Sequence, residues 1–207
     1  MSTELIAAVE AADSAEGLVR AVAALSAART DAAIPTLISV LAFNNPGAAV
    51  VAVDGLIQLG SPAAQAILNN LDDYNYGARA WALRALAGIG EPAALPLLLS
   101  AAREDFSLSV RRAATYGLGR VRWADLSESD RLAQQQQCYE TLKLCLQYDP
   151  EWVVRYAAAA ALETLAPAAT QLQSAIAETL NRQAHSDEER AVQARSRLAE
   201  RRLAGGV

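Results

Sequence analysis

The sequence predicts an all-α chain, a helical-repeat solenoid of the α-α superhelix type, and three observations predict it. Hydrophobic residues make up 53% of the 207. Much of that share is alanine, which favours helix most strongly and lets helices pack closely. Runs of β-branched and aromatic residues alternating with polar ones, the mark of strands, are scarce. The chain also repeats itself with a period of about thirty residues, as stacked supersecondary units do.

Ser61-Pro62-Ala63-Ala64 opens a segment that runs to Gly90, and Glu91-Pro92-Ala93-Ala94 opens a second that runs to Val121. The first closes on Leu-Ala-Gly-Ile-Gly (86–90) and the second on Leu-Gly-Arg-Val (118–121). The segment before them, Ala32 to Gly60, closes on Leu-Ile-Gln-Leu-Gly. A shorter pattern recurs inside: Asp73 stands five residues before Ala78-Arg79, Asp105 before Val110-Arg111, and Asp149 before Val154-Arg155. This spacing, followed by small residues and a leucine, resembles the HEAT repeat. In that family the Asp lies in the turn between two helices and the Arg opens the second, so these six residues are expected to form a structural ladder. An Asp at a helix N-terminus caps free N–H groups and accepts a bidentate Arg. Asn44-Asn45-Pro46-Gly47 breaks the pattern, with Asn for Asp and no Arg after Ala48.

Residues 3–12 and 15–28 read as a first hairpin, with Ser14 as an N-cap. Hairpins follow at 32–42 with 47–59, 62–72 with 76–89, and 92–103 with 107–121. An insertion occupies 123–129, and the next pair spans 130–147 and 150–165 before Pro167 stops it. Capping helices at about 168–203 close the stack, the second beginning near 187, and Ser186 with Glu189 reads as a capping box. The tail 204–207 is expected to fray. Residues 1–207 are read as a single HEAT-like repeat domain.

The net charge is −5 and the isoelectric point about 5.0. A general nucleic-acid binder needs a basic stripe to displace counterions, so no nucleic-acid partner is expected. No apolar stretch is long and charge-free enough to span a bilayer, and Met1-Ser2-Thr3-Glu4 lacks the basic region of a secretory signal. The expectation is a cytoplasmic protein with no membrane partner. Cys138 and Cys145 lie seven apart, roughly 10 Å along a helix axis at 1.5 Å per residue, too far for a sound disulfide. They read as small core residues, with a thiol that holds a ligand transiently as the alternative. A zinc site is not expected, because His185 is the only histidine and no paired cysteine knuckle exists.

Positions one, five and nine after the ladder Arg line the concave surface of a HEAT-like stack. Here they are Val50, Asp54 and Gln58, then Ala80, Arg84 and Gly88, then Arg112, Tyr116 and Arg120, then Tyr156 and Ala160. Arginines bind carboxylates bidentately and tyrosines stack on planes, so the mixture suits a ligand with anionic groups and a flat conjugated body. The same residues also read as a solvated face with ordinary i, i+4 pairs. Trp81 stands where the repeat wants a small core residue and is either a core filler or a wedge that opens a cleft. Trp152 reads as a half-exposed packing residue, and Trp123 as cover for a helix end. Tyr74 and Tyr76, flanking Asn75 in a turn that is usually small and polar, read either as a partner contact or as packing on neighbouring turns. No catalytic set, phosphate loop or dinucleotide fingerprint is present. Any catalysis here proceeds by holding and orienting reactants.

The run Asp73-Tyr74-Asn75-Tyr76-Gly77-Ala78-Arg79-Ala80-Trp81-Ala82-Leu83-Arg84-Ala85-Leu86-Ala87 resembles the F subunit of the E/F-type heterodimeric phycobilin lyases. So do Asp105-Phe106-Ser107, Ser109-Val110-Arg111-Arg112-Ala113-Ala114 and Gly117-Leu118-Gly119-Arg120-Val121-Arg122-Trp123. The resemblance covers most of the chain and is strongest from about 60 to 123. It implies a heterodimer with a longer E-type subunit of the same repeat class. The pair binds phycocyanobilin as a substrate, not as a permanent cofactor, and attaches it through a thioether to a cysteine of the phycocyanin alpha subunit. The nucleophile belongs to the acceptor, so no catalytic residue is required in this chain. Lyases that also isomerise the bilin carry a His- and Cys-containing motif in this subunit. That motif is absent here, which implies simple attachment.

On this reading Arg84 and Arg112 pair with the propionates, Asp54 holds the pyrrole N–H groups, and Tyr116, Tyr156 and Trp81 fix the ring planes. An alternative places the bilin on the E-type partner. The competing function is a non-catalytic scaffold or chaperone for phycobiliprotein subunits, or a factor that detaches chromophores. A HEAT-like DNA glycosylase needs a strongly basic groove, which an acidic chain does not offer.

Overall fold

The computed structural model describes residues 2–70 and 76–205. Every regular element among them is helical: α1 Ser2–Glu10, α2 Ala15–Ala27, α3 Ile34–Val40, α4 Pro46–Leu59, α5 Ser61–Asn69, α6 Tyr76–Ile89, α7 Leu95–Glu104, α8 Leu108–Leu118, α9 Glu128–Tyr148, α10 Trp152–Leu165, α11 Gln173–Ser186 and α12 Arg190–Leu203. Chain contacts divide it into two units, Met1–Ala94 with α1–α6 and Leu95–Val207 with α7–α12. Within each unit successive helices pair as hairpins, and the second helices pack side by side: α2, α4 and α6 in the first unit, α8, α10 and α12 in the second. The first helices form a looser layer behind them.

Local signals place the helix ends. Ser14 caps α2 by accepting from the Gly17 N–H at 3.1 Å, as expected. Asn45 caps α4 by accepting from the Ala48 N–H at 3.0 Å and donates to the Ala15 carbonyl at 3.0 Å. Asn45, two residues beyond the ladder Asp position, therefore stitches its turn to the previous hairpin. Gly60 takes φ +70°, a conformation that disfavours a side chain, and lets α5 begin directly after α4. After α8 comes a short 3₁₀ turn at Trp123–Asp125, and Ser127 caps α9 two residues before the predicted start. Leu25, Leu37, Leu56 and Ile67 are fully buried in the first unit, and Leu98, Leu118, Leu142, Leu146 and Leu162 in the second. Each such burial is worth about 1.5–3 kcal/mol. Buried alanines on α10 let its neighbours approach closely. A Cβ on Gly119 would lie 2.5 Å from the Ala161 carbonyl oxygen, so the end of α8 rests directly on the α10 backbone.

In the second unit two rungs of the ladder form, each joining one hairpin to the next. Arg111 donates from Nε and Nη2 to the Asp149 carboxylate at 2.8 and 3.2 Å, and from Nη1 to the Asp105 and Phe106 carbonyls at 3.0 and 3.1 Å. Arg155 repeats this with Asp187 at 2.9 and 3.1 Å and with the Asp149 and Pro150 carbonyls at 3.0 and 3.3 Å. Each Asp also accepts from the N–H two residues on: Ser107, Glu151 and Glu189 at 2.9, 2.9 and 2.8 Å. Arg79 is half-buried in α6, while Asp73 lies outside the described residues.

The capping box expected of Ser186 and Glu189 does not form. Helix α11 runs through Ser186, whose hydroxyl donates to the Arg182 carbonyl, and Glu189 caps α12 by accepting from the Ala191 N–H. The competing interaction is the last rung, which claims Asp187 and sets the turn. Gln193 stands where the earlier repeats have Arg and donates to the Asp187 carbonyl at 2.6 Å.

The Arg155 and Asp187 side chains are 6% and 1% exposed, so removing one strands the other in the interior. Arg155→Ala is expected to cost about 3–5 kcal/mol in urea unfolding. A loss below about 1 kcal/mol would remove the rung from the ledger of stabilising contacts. Burial pushes the Asp187 carboxyl up, and hydrogen bonds from Arg155, the Glu189 N–H and Gln183 more than offset this, leaving its pKa below the ordinary value. A carboxyl depressed in the folded state contributes stability that is complete above its unfolded pKa of about 3.9 and is lost as pH falls through the lower folded value. Asp187→Asn should therefore lower stability at neutral pH and flatten its decline below about pH 4, as read by unfolding at stepped pH.

Candidate functional site

The side chains best placed to meet a ligand stand on the second helices of the second unit. Arg111 at the head of α8 reaches Asp149 at the head of α10, and Gly119 beyond the tail of α8 meets Ala161 of α10. The two helices therefore run parallel, at the 8–10 Å typical of packed helices. Helix α8 exposes Arg112 and Tyr116, with Arg120 one turn further on the same face. The Arg120 guanidinium stacks 4.2 Å from the Tyr116 ring centroid and donates to its hydroxyl. Helix α10 answers with Trp152 and Tyr156, 45% and 41% exposed, and then half-buried Ala160. Beyond Ala160, Glu163 receives Arg195 at 2.6 Å and Arg202 at 3.0 Å, both from α12. Burial pushes the Glu163 carboxyl up, and the two arginines pull it below its ordinary value.

This face combines two exposed arginines with three aromatic rings. Among the described residues no carboxylate pairs with Arg112. A flat conjugated ligand can lie along the rings while its carboxylates reach the arginines. The Arg120 guanidinium, folded back over Tyr116, stands on the same face as Arg112 one turn away.

The structure thus brings Arg112, Tyr116 and Tyr156 together on one face. Asp54, Arg84 and Trp81 belong to the first unit. Asp54 is exposed on α4 beside a groove of about 550 Å³ between α2 and α4, shared with Arg29 and Gln58. Arg84 is exposed on α6, its guanidinium 5.4 Å from the Trp81 ring centroid. Trp81 itself is half-buried and serves Arg84 as a platform. Tyr74 and the side chain of Tyr76 lie outside the described residues.

Sequence reasoning missed Arg29, which has φ +47° and donates from Nε to Gln58 at 3.0 Å. A non-glycine residue in the left-handed region stores strain of order 1–3 kcal/mol, and the sequence carries no sign of it. Trp152, read as half-exposed, is 45% exposed and shares its face with Tyr156, one helical turn on. The final rung was legible: Asp187 stands five residues before Val192-Gln193, one substitution from the ladder pattern.

The cysteines are free and buried. Burial pushes the Cys138 thiol up to about 12 and the Cys145 thiol up to about 11. Thr115 donates to the Cys145 sulfur at 3.8 Å. Neither is a nucleophile at neutral pH. His185 is exposed beside a groove of about 640 Å³ between α11 and α12, its Nδ1 2.8 Å from the Asn181 carbonyl. No single helix among the described residues is long and apolar enough to cross a membrane.

Helix hairpins joined by an Asp–Arg ladder define a HEAT-repeat protein, and residues 65–163 match the family of HEAT repeats. The chain is 60% identical over 163 residues to the phycocyanin alpha phycocyanobilin lyase CpcF of Synechocystis sp. strain PCC 6803, covering 78% of this chain and 75% of that protein. It is 46% identical over 200 residues to the phycocyanobilin lyase subunit beta of Nostoc sp. strain PCC 7120, covering 97% of this chain and 99% of that protein. Among solved structures it matches a chain of the complex of CpcE and CpcF of phycocyanin lyase from Nostoc sp. PCC7120. That match has a TM-score of 0.78 at 46% identity and covers 83% of this chain and 99% of that one. The chain belongs to the family of phycocyanobilin lyase beta subunits.

The burial of both thiols has a direct consequence. In the folded protein at pH 8 neither Cys138 nor Cys145 should react with an aromatic disulfide reagent, and both should react on unfolding. Rapid stoichiometric labelling of the native chain would return a thiol to the list of candidate ligands for the bilin.

Proposed function

We propose that this chain is one subunit of a heterodimeric bilin lyase that binds phycocyanobilin and joins it to a cysteine of the phycocyanin alpha subunit. The observation that carries the reading is the agreement between family and face. The family's members are named as lyase subunits. The second unit offers exposed arginines and aromatic rings but no nucleophile of its own. An E-type subunit completes the enzyme, as in the solved complex of a relative.

Attachment needs no oxidant and no leaving group. The acceptor's sulfur bonds to the exocyclic carbon of the bilin's ring-A ethylidene group, and the thiol proton ends on the ring carbon of the former double bond. The lyase holds the bilin extended, presents one face of that carbon and keeps the thiol near it, which is catalysis by proximity and orientation. Arg112 and Arg120 take the propionates, and Tyr116, Tyr156 and Trp152 hold the ring planes. Asp54 and Arg84 stand on the first unit and are no part of this face. The lyase functions in the cytoplasm.

The experiment is a reconstitution with an E-type subunit, the phycocyanin alpha subunit and a bilin supply, read as bilin fluorescence on the denatured alpha subunit. Covalent product that requires both subunits is expected. A stable complex that yields none would favour a scaffold for phycobiliprotein subunits instead. Arg112→Ala and Tyr116→Ala should each weaken bilin binding about tenfold, the effect of losing one charged hydrogen bond or one aromatic contact. Both residues are exposed, so stability should change by less than about 0.5 kcal/mol. Unchanged bilin affinity in both variants would move the bilin off this face.

A further inference from the structure

The ladder register carries past the two helices of the candidate site onto a third. Asp187 and Gln193 are spaced like Asp149 and Arg155 and like Asp105 and Arg111, so α12 repeats the positions of α8 and α10. Arg155 levels the heads of α10 and α12 through Asp187, and Arg202 ties their tails by donating to Glu163 at 3.0 Å. On α12 the position equivalent to Tyr116 and Ala160 is Leu198, and the one equivalent to Arg120 and Thr164 is Arg202. Both are exposed, Leu198 by 42%. Three parallel helices therefore present one grid of outward side chains. Ala160 lies half-buried at its centre, with Tyr156 one turn before it on α10, Tyr116 beside it on α8 and Leu198 beside it on α12. Thr164, one turn after it, donates its hydroxyl to the Ala160 carbonyl at 3.0 Å. A methyl group ringed by two phenols and a leucine makes a depression with an apolar floor. Its far rim is cationic, with Arg120 on α8 and Arg202 on α12. Glu163 meets two guanidinia, so one positive charge of that cluster stays unmatched. Arg202 is the exposed member, its side chain 56% exposed against 10% for Arg195.

We propose that the bilin lies across α10 on Ala160, walled by Tyr116 and Leu198, with Arg202 donating to a carboxylate from the side opposite Arg120; the inference rests on the lyase reading above. It adds Leu198 and Arg202 to the binding residues and makes Ala160 the residue that sets the room for the ring planes. A flat conjugated body needs a floor without projecting atoms, and an alanine supplies one. The unmatched charge calls for an anionic group, and a guanidinium takes a carboxylate with two parallel hydrogen bonds. Packed helices stand about 8–10 Å apart, so the axes of α8 and α12, on either side of α10, are separated by roughly 16–20 Å. An extended chain of four pyrrole rings covers that span, and a single small anion does not.

The test measures the bilin affinity of the heterodimer by absorbance titration, for the wild type and for Ala160→Leu and Arg202→Gln. Leucine is a good helix former and raises the floor. Glutamine drops the charge, while Arg195 still matches Glu163. Each Kd should rise about tenfold, the scale of one overpacked contact or one charged hydrogen bond, with recovery of the E-type subunit unchanged. Unchanged bilin affinity in either variant overturns the proposal, and Arg112→Ala, titrated alongside, then shows whether the bilin still uses the rest of the face. Loss of the E-type subunit from either variant also overturns it and makes this part of the face the heterodimer contact. A wild-type heterodimer that binds the bilin but transfers none refutes the lyase reading alone, and the affinities of the two variants then still decide the depression.

Discussion

A buried guanidinium that grips two successive turns is the interaction on which the second unit depends. Arg111 and Arg155 each bind their own hairpin through backbone carbonyls and the next hairpin through an Asp carboxylate. Coulomb attraction alone would not justify burying such charges, because desolvation offsets much of it. What the arrangement supplies is register. Two forks meet two carboxylates in one geometry, so each second helix starts level with its neighbour, and Gly119 lets α8 settle on α10 at the far end.

Function inherits that register. Exposed positions on parallel, level helices fall into stripes, which is why Arg112 and Tyr116 face the same side as Trp152 and Tyr156. The site has no nucleophile and no acid–base pair, and its thiols are silenced by burial. On the proposed lyase reading the chain contributes surfaces that hold and present, and the reacting sulfur belongs to the acceptor.

The first unit shows how far the ladder tolerates substitution. Phe43 and Ala49 stand at the ladder positions there, and Asn45 at the N-cap instead caps its helix and bonds to Ala15 without any arginine. A neutral stitch serves there, and Gln193 plays a similar part in the last hairpin. Gln193 keeps the Arg's hydrogen bond to a backbone carbonyl and gives up the ion pair.

The sequence by itself determined the helical class, the hairpin boundaries to within a few residues and the outward positions of the second helices. These follow from local rules: alanine content, caps such as Ser14, and a repeat whose spacing fixes which side of each helix is buried. Tertiary structure alone decided the fate of Ser186 and Glu189, whose local capping signal lost to a long-range rung through Asp187. It also decided the strained backbone at Arg29 and the stacking of Arg120 on Tyr116 and of Arg84 on Trp81. Each of these depends on which neighbour a side chain meets in space, and spacing along a helix specifies the side a residue points to, not the partner waiting there.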